Sequence, residues 1–158
     1  MRRVLLKLSG EALAGSAGFG VDPGVVARLC RDIAAARDAG TQVGLVVGGG
    51  NLFRGAALQA AGLGRVTGDQ MGMLATVMNG LAFRDLLRQA GVPAVLFSAI
   101  ELPGVAERFH RDQAVDALER GDVEPEAAEH VREEDHVDDH LEDAQEGEVE
   151  ITKLNLFT

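Results

Sequence analysis

The sequence contains no tryptophan, no tyrosine and only one cysteine, Cys30. Without those two aromatic residue types, a binding site built from stacked aromatic rings is not expected. A single cysteine excludes a disulfide within the chain and is typical of a protein kept in a reducing compartment. We interpret Cys30 as a small buried residue on a helix rather than as a catalytic thiol.

Long apolar runs are also missing, and none approaches the length of a membrane span. The first seven residues combine positive charge with apolar residues, as a secretory signal does. Their apolar part is too short, however, and Lys7 interrupts it. We therefore expect a cytoplasmic protein with no membrane partner, in which this stretch forms a strand.

Basic residues are scarce in the last part of the chain. Residues 1–123 carry 13 Lys and Arg against 12 Asp and Glu, whereas residues 124–158 carry 2 against 13. The formal net charge of −10 therefore comes from an acidic C-terminal segment. A nucleic acid is not expected as a partner, since binding to its phosphates needs a basic face.

Apolar periodicity predicts alternating strands and helices over the near-neutral part of the chain. Continuous apolar runs predict strands near residues 3–8, 42–47 and 94–98. Helical spacing predicts helices near residues 23–39 and 68–90, with a shorter one at 112–120. Strands that are apolar throughout are typical of a parallel sheet covered by helices on both faces. An α/β fold is therefore predicted.

Capping residues support both long helices. Asp22 can cap the first helix, with Pro23 in its first turn. Thr67 with Gln70 fits a capping box for the second. The face of the second helix that we expect to meet the core is marked by Met71, Leu74, Met78 and Leu81.

The acidic segment, residues 124–158, has few apolar residues among its carboxylates, which favours a solvated, flexible tail. Residues 151–157 regain some apolar character and are a candidate strand. His136 and His140, four residues apart beside Asp135 and Asp139, have a spacing that can bind a divalent metal ion. An acidic segment that happens to contain histidines is the better interpretation, so no metal site is predicted.

Two predicted strands end in glycine-rich turns, KLSG at residues 7–10 and VGGGN at residues 47–51. Ligands of α/β sheets bind at the carboxyl ends of strands, and glycine N–H groups at the start of a helix can cradle phosphate. Arg54, one turn along that helix, can reach the same oxygens. Lys7, inside an apolar strand, suits a role in neutralising charge during phosphoryl transfer.

Each of these signals has a plainer alternative. Three successive glycines are more often a simple turn, and a strand lysine more often lies at an edge with its ammonium group in water. The pattern matches neither a P-loop nor a dinucleotide-binding turn. The residues therefore indicate a phosphate site outside those two classes.

Five motifs together resemble a known family. KLSGEAL at residues 7–13, GFG at 18–20 and GGGNLFRG at 48–55 are similar to the opening of the amino-acid kinase superfamily. DQMGMLATVMNGLA at 69–82 and SAI at 98–100 resemble the bacterial UMP kinases within it. This resemblance implies a three-layer αβα fold with a mainly parallel sheet. It also implies transfer of the ATP γ-phosphoryl group to UMP, giving UDP in pyrimidine nucleotide biosynthesis, with Mg²⁺ bound to ATP.

The resemblance also implies roles for particular residues. Lys7 would be catalytic, and ATP would contact Lys7, Leu8, Ser9, Gly10, Gly50 and Arg54. UMP would contact Gly49 and Asp69, although by itself Asp69 reads as a first-turn carboxylate favoured by the helix dipole. A segment linked to GTP activation in some members would be formed by Gly15, Ser16, Ala17, Gly18, Phe19 and Gly20. A homo-oligomer, hexameric in the family, is expected.

The resemblance ends at residue 123. There the family continues with an apolar strand and a TGNPFFTTD-type loop that closes on UMP, whereas this chain reads EPEAAEH. We therefore expect residues 1–123 to be the N-terminal portion of a truncated kinase domain with impaired activity, and residues 124–158 to be an unrelated tail. The alternative is a non-catalytic fragment that binds nucleotide or oligomerises, with an acidic interaction tail. An interaction module that uses the fold only as a scaffold is a third hypothesis.

Overall fold

The structure is a computed structural model that describes residues 2–127 and 149–153 of the 158-residue chain. Its strands are β1 (Arg2–Leu8), β2 (Thr41–Val47), β3 (Phe97–Ser98), β4 (Glu107–Arg108), β5 (Glu124–Ala127) and β6 (Val149–Lys153). Its helices are α1 (Pro23–Asp38), α2 (Gly55–Ala60), α3 (Arg65–Gln89) and α4 (Arg111–Arg120). Two short 3₁₀ turns, Gly10–Leu13 and Gly15–Ala17, follow β1.

The strands form one sheet in the order β4-β3-β5-β2-β1-β6, and every neighbouring pair is parallel. The predicted α/β fold with a parallel sheet is therefore confirmed. The predicted third strand is shorter than expected, because Ala94 joins Val123 only through an isolated bridge. Pro93 has no N–H to donate, and the carbonyl of Ala94 is taken by the Arg88 guanidinium at 2.7 and 3.0 Å.

The structure differs from the sequence-based expectation at residues 124–127. This segment forms β5, which runs between β2 and β3, and Val149–Lys153 adds β6 beside β1. No strand was predicted at 124–127 because EPEA has no apolar run to signal one. Residues 128–148 and 154–158, with His130, His136 and His140, lie outside the described residues, so the solvated tail and the separate domain there stay predictions.

Helix α1 begins as the sequence predicts. The Asp22 carboxylate accepts hydrogen bonds from the N–H groups of Gly24 (2.8 Å) and Val25 (3.2 Å), and Pro23 occupies the first turn. The buried face of α1 consists of Val26, Leu29, Cys30 and Ile33. These side chains pack with strand residues such as Leu45 and with Phe83 of α3 in the largest apolar cluster.

Helix α3 differs from its prediction in two ways. It begins at Arg65 with Gly64 as its N-cap residue, so the proposed capping box at Thr67 is wrong. The predicted core face is also wrong, because Leu74 and Met78 are 47% and 52% exposed. The buried face combines small and polar residues such as Asn79 and Gly80 with the apolar Val77, Phe83 and Leu87. At Gly80 the helix lies so close to the sheet that a Cβ atom would stand 2.5 Å from Leu96 Cδ1.

A separate apolar cluster joins α4 to β3 through Ala114, Ala117 and Phe97. Phe97 also meets Phe109 edge-on, with ring centroids 6.2 Å apart. Within the part of the chain that the structure describes, no helix is both long enough and apolar enough to cross a membrane.

Candidate phosphate-binding site

The two glycine-rich turns leave the sheet side by side. Strands β1 and β2 are parallel neighbours, with Lys7 opposite Val46 and Leu8 opposite Val47. The Gly48 N–H group donates to the Leu8 carbonyl at 2.9 Å, which extends the ladder by one residue. Both turns therefore begin at the same carboxyl edge of the sheet, where ligands of α/β folds bind.

Close packing explains why glycines occupy these turns. A Cβ atom on Gly10 would lie 2.5 Å from Gly50 N and 2.8 Å from Gly48 O. A Cβ atom on Gly49 would lie 2.8 Å from Ala75 Cβ on the other side. The loop of residues 48–50 is thus held between the turn after β1 and helix α3, with no room for a side chain at Gly10 or Gly49.

The glycine loop does not open a helix, contrary to our expectation. The N–H groups of Leu52 and Phe53 both donate to the Gly49 carbonyl, at 3.0 and 3.2 Å, and form a separate turn. Helix α2 begins only at Gly55, with Arg54 as its N-cap residue. An anion here would meet loop N–H groups rather than a helix terminus.

Arg54 folds back over the loop. Its Nε atom donates to the Gly50 carbonyl at 3.4 Å, and its Nη2 atom lies 3.1 Å from Glu11 Oε1. Both side chains of this ion pair are more than half exposed, so the pair is worth little in water and can exchange partners. A phosphate group bound at the loop would compete with the Glu11 carboxylate for the Arg54 guanidinium.

The remaining residues assigned to ATP lie on the same edge. Leu8 has its side chain in the core and only 1% exposed, so it offers the site its backbone alone. The Ser9 hydroxyl caps the first 3₁₀ turn by accepting from Ala12 N–H at 3.4 Å. Lys7 is partly buried on β1. The structure brings the two glycine turns and Arg54 together and places Lys7 at the end of β1, one residue before Leu8, and the roles of these residues in binding stay predictions.

Asp69 lies in the second turn of α3, not the first, because the helix begins at Arg65. Its carboxylate is 3.8 Å from Arg65 Nε and is 41% exposed. It stands about one turn before Gly72, whose carbonyl faces the space beside Gly49. The dipole explanation for Asp69 is weakened by this position, since the effect falls off beyond the first turn.

The loop of residues 15–20 is attached to the glycine loop. It contains the 3₁₀ turn Gly15–Ala17 and three glycines with positive φ, Gly15 (+56°), Gly18 (+67°) and Gly20 (+80°). The Gly20 N–H donates to the Asn51 carbonyl at 3.0 Å, and the Gly20 carbonyl accepts from Asn51 Nδ2 at 2.7 Å. Phe19 at its tip is 68% exposed.

A pair of buried asparagines was not singled out from the sequence. Asn51 and Asn79 are 1% and 0% exposed and exchange side-chain hydrogen bonds of 3.0 and 2.7 Å. Asn79 Nδ2 also donates to the Gly48 carbonyl at 2.7 Å. A signal was available, because an asparagine directly after three glycines and another within a helix both favour specific hydrogen-bonding roles over regular structure.

The described residues offer no cluster of metal-ligating side chains. Over residues 2–127 and 149–153, no group of three or more His, Cys, Asp or Glu side chains could hold a metal. The side chains that contact the glycine loop are the Arg54 guanidinium, which donates to the Gly50 carbonyl, and the Asn79 amide, which donates to the Gly48 carbonyl. Cys30 lies in the core and not at this site, and burial raises its pKa to about 11, which fits an inert thiol.

Comparison with known proteins places these features in a family context. The model of the amino acid kinase family matches residues 2–129. Uridylate kinase of Pseudomonas putida is 58% identical over 122 residues, which are 77% of this chain and 49% of that protein. Uridylate kinase of Marinobacter nauticus is 60% identical over 122 residues, 77% of this chain and 50% of that protein. The resemblance drawn from the motifs is thereby confirmed.

Solved structures of UMP kinases agree with the family match. UMP kinase from Bacillus anthracis has a TM-score of 0.75 and 34% identity, covering 80% of this chain and 52% of that one. An isopentenyl phosphate kinase substrate complex, at 16% identity and a TM-score of 0.56, covers 78% of this chain and 54% of that one and shares the fold alone. The chain spans about half the length of the curated relatives that it matches.

Proposed function

We propose that this chain, which belongs to the amino acid kinase family, supplies the phosphate-binding half of an enzyme that transfers the ATP γ-phosphoryl group to UMP, giving UDP. The observation that carries the proposal is the contact between its two glycine turns. Gly10 and the loop of residues 48–50 pack at backbone distance at the carboxyl edge of β1 and β2. This contact supports the proposal because it brings the main chain of the two turns together beside the Arg54 guanidinium, at the end of the strand that carries Lys7.

In this proposal each residue acts on charge or position. Lys7 offsets negative charge that develops on the transferring phosphoryl group, which is the main task of a phosphoryl-transfer site. Arg54 leaves Glu11 and pairs with ATP phosphate oxygens, while Gly50 gives them close access to the backbone. Gly49 and Asp69 face UMP, with the carboxylate accepting from ribose hydroxyls. Residues 15–20 are the proposed place where GTP acts.

Magnesium is the cofactor that this reaction calls for, and it neutralises phosphate charge when bound with ATP. The site residues do not fit a protein-held magnesium ion, since they lack a carboxylate cluster and Glu11 is paired with Arg54. Oxygen ligands for Mg²⁺ would have to come from the nucleotide phosphates and water.

We further propose that this 158-residue chain alone has little or no turnover. Phosphoryl transfer requires the reactants to be held in line from all sides, and the residues above supply one side only. A cytoplasmic location and a homo-oligomer, such as the family's hexamer, belong to the same proposal. A non-catalytic nucleotide-binding or oligomerising fragment is the second candidate, favoured by the excess of 13 acidic over 2 basic residues in its last 35 positions.

The experiment compares this chain with a chimera in which residues after 123 are replaced by the matching second half of the Pseudomonas putida uridylate kinase. UDP formation from ATP, Mg²⁺ and UMP is measured in a coupled assay. We expect turnover from the chimera and little or none from the chain. Equal turnover by both would refute the role of the second half, and no turnover by a folded chimera would refute the proposed kinase function.

Lys7→Ala in the chimera tests the catalytic lysine. Its matched control is Arg3→Ala, which removes a cation from the amino end of the same strand, where Arg3 Nε donates to the Gln42 side chain at 2.8 Å. We expect the Lys7 variant to lose turnover by about a hundredfold or more, as removal of a charge-stabilising group does, and the Arg3 variant to keep it. Full activity of Lys7→Ala would remove Lys7 from the mechanism.

A further inference from the structure

Two buried asparagine side chains join three separate parts of the chain. Asn51 follows the glycine loop, and Asn79 lies in α3. We propose that Asn51 and Asn79 are positioning residues that clamp the loop of residues 15–20 and the loop of residues 48–50 into one unit. Binding of a nucleotide phosphate at the glycine loop is then coupled, through this pair, to the conformational stability of residues 15–20. The nucleotide part of this inference rests on the proposed function.

All four amide hydrogens of the pair are used. Asn51 Nδ2 donates to the Gly20 carbonyl (2.7 Å) and to Asn79 Oδ1 (3.0 Å). Asn79 Nδ2 donates to the Gly48 carbonyl (2.7 Å) and to Asn51 Oδ1 (2.7 Å). Both carbonyl groups are acceptors, so turning either amide over would set oxygen against oxygen. The orientation of each side chain is therefore fixed, and the pair behaves as a single connected network.

The bond to Gly48 bears directly on the phosphate site. In a trans peptide the C=O and the following N–H point in opposite directions across one rigid plane, and the described residues contain no cis peptide bond. Because Asn79 holds the Gly48 carbonyl toward α3, it directs the Gly49 N–H group away from the helix. Asn79 thus sets the orientation of a backbone donor in the loop without touching a ligand itself.

The bond to Gly20 extends the same control to the second loop. Asn51 holds Gly20 twice, by its side-chain Nδ2 and by its backbone carbonyl, which accepts from Gly20 N–H at 3.0 Å. Gly20 is left-handed (φ +80°), a conformation that gives this end of the loop little intrinsic preference to stay in place. Displacing Asn51 would therefore release the loop of residues 15–20 together with the glycine loop.

Isosteric variants remove the donors of one asparagine at a time. Asn79→Asp removes the donors to the Gly48 carbonyl and to Asn51 Oδ1 but keeps an acceptor for Asn51 Nδ2. Asn51→Asp removes the donors to the Gly20 carbonyl and to Asn79 Oδ1 but keeps an acceptor for Asn79 Nδ2. Thr76→Val is the matched control, because Thr76 is a buried polar residue of the same helix whose hydroxyl donates only to Met73 O at 2.6 Å. If an Asp variant fails to fold, Asn79→Ser and Asn51→Ser replace it.

The first measurement is amide hydrogen exchange by NMR on the full chain without nucleotide. We expect Asn79→Asp to speed exchange by about tenfold or more, the size expected for loss of a buried hydrogen bond, in both loops, including Gly20. Core amides such as Leu29 and Leu45 should keep their protection. Acidification should partly restore the lost protection, measured relative to the intrinsic exchange rate at each pH, since a protonated carboxyl regains one donor.

Several results would overturn the clamp. A uniform rise in exchange that acid does not reverse would mean that the pair supports only global stability. Faster exchange in residues 48–50 with Gly20 unchanged would mean that the loops are not coupled. If Thr76→Val sped exchange in the two loops equally, the loss of any buried hydrogen bond on α3 would be enough to loosen them.

The second measurement is the Kd for ATP, and it separates this inference from the proposed function. We expect both Asp variants to bind ATP about tenfold more weakly, which corresponds to the loss of one hydrogen bond. Thr76→Val should bind ATP with the same Kd as the unmodified chain. Unaltered affinity in variants with altered exchange would refute control of the phosphate site. If the unmodified chain binds no ATP while the exchange results hold, phosphate binding by this chain alone is refuted and the clamp stands, whereas the kinase function is decided by the chimera.

Discussion

Gly10 and Gly50 pack so closely that a Cβ atom on Gly10 would lie 2.5 Å from the Gly50 nitrogen. These residues are far apart in the chain, and their contact is made by the neighbouring strands β1 and β2. Because two of the three obstructing atoms, Gly50 N and Gly48 O, are backbone atoms, the turns cannot move apart without opening the sheet edge. The contact therefore fixes the geometry of the candidate site.

Gly10→Ala should destabilise the chain. The added methyl group meets Gly50 N, Gly48 O and Asn51 Oδ1, all within 2.8 Å, so we expect a loss of about 1–3 kcal/mol, as in other overpacked sites. Urea unfolding followed by circular dichroism measures it. The control is Gly72→Ala, since a Cβ atom there would meet nothing within 4 Å and alanine favours a helix. An unaffected Gly10→Ala variant would show that the two turns are not in contact.

Gly80→Ala should also destabilise, but here a second change should repair the damage. A Cβ atom on Gly80 would lie 2.5 Å from Leu96 Cδ1, the end of a side chain that is 1% exposed. Adding Leu96→Val removes carbon where the new methyl group needs space. We expect the double variant to be more stable than the sum of the single changes by about 0.5–3 kcal/mol, the range seen for contacting residues. Strict additivity in thermal or urea unfolding would contradict this contact.

The sequence is a good guide to the strands and to the first helix because their signals are local. The apolar runs of β1 and β2 and the Asp22–Pro23 start of α1 each fix a neighbouring stretch of backbone. The burial of α3 is not local, since large residues such as Leu74 and Met78 face outward while Asn79 and Gly80 face the sheet. Apolar periodicity favours the wrong face when a helix approaches the sheet through small residues.

The site shows the same division. The glycine-rich strand ends were a signal of close backbone approach, and the structure shows that approach between Gly10 and residues 48–50. Anion binding there stays a prediction. The hydrogen-bonding role of Asn51 and Asn79 was not predicted, because their acceptors include the carbonyl groups of residues 20 and 48. Only the fold brings those carbonyl groups together. The β5 strand at Glu124–Ala127 was missed because its charged residues give no apolar pattern.

The Cys30 thiol should be almost unreactive in the folded chain. Burial raises its pKa to about 11 from 9.0, so at pH 8 very little thiolate is present and the sulfur is shielded. We expect a disulfide reagent such as Ellman's reagent to react more than about a hundredfold faster in denaturing urea, where both the burial and the shift in pKa are lost. Rapid reaction of the folded chain would place Cys30 at the surface.

The same shift predicts how stability changes with pH. Between pH 9 and about 11 the unfolded thiol loses its proton while the folded thiol keeps it, so deprotonation favours unfolding. The contribution is therefore present below pH 9.0 and is lost as the pH rises through about 11. Cys30→Ala removes this dependence, so its unfolding free energy should fall less steeply over that interval. Identical slopes for the two proteins would contradict a buried thiol.

Glu11→Gln should strengthen binding of phosphate-bearing nucleotides with little effect on stability. The Glu11 carboxylate holds Arg54 Nη2 at 3.1 Å, and both side chains are more than half exposed, so breaking the pair costs little free energy. With the carboxylate gone, the guanidinium is free to turn to an anion at residues 48–50, and a like charge is removed from beside it. We expect a lower Kd for ATP, by about two- to fivefold, as suits one exposed charge interaction.

The control is Glu101→Gln, which breaks a comparable exposed pair with Arg108 away from the glycine loop. That variant should leave the Kd for ATP unchanged, because its carboxylate competes for no group at the site. The gain from Glu11→Gln should also shrink as salt is added, since exposed charges are screened over about 10 Å at 0.1 M ionic strength. Weaker ATP binding by Glu11→Gln would mean that the carboxylate holds Arg54 in its binding position and does not compete with the nucleotide for it.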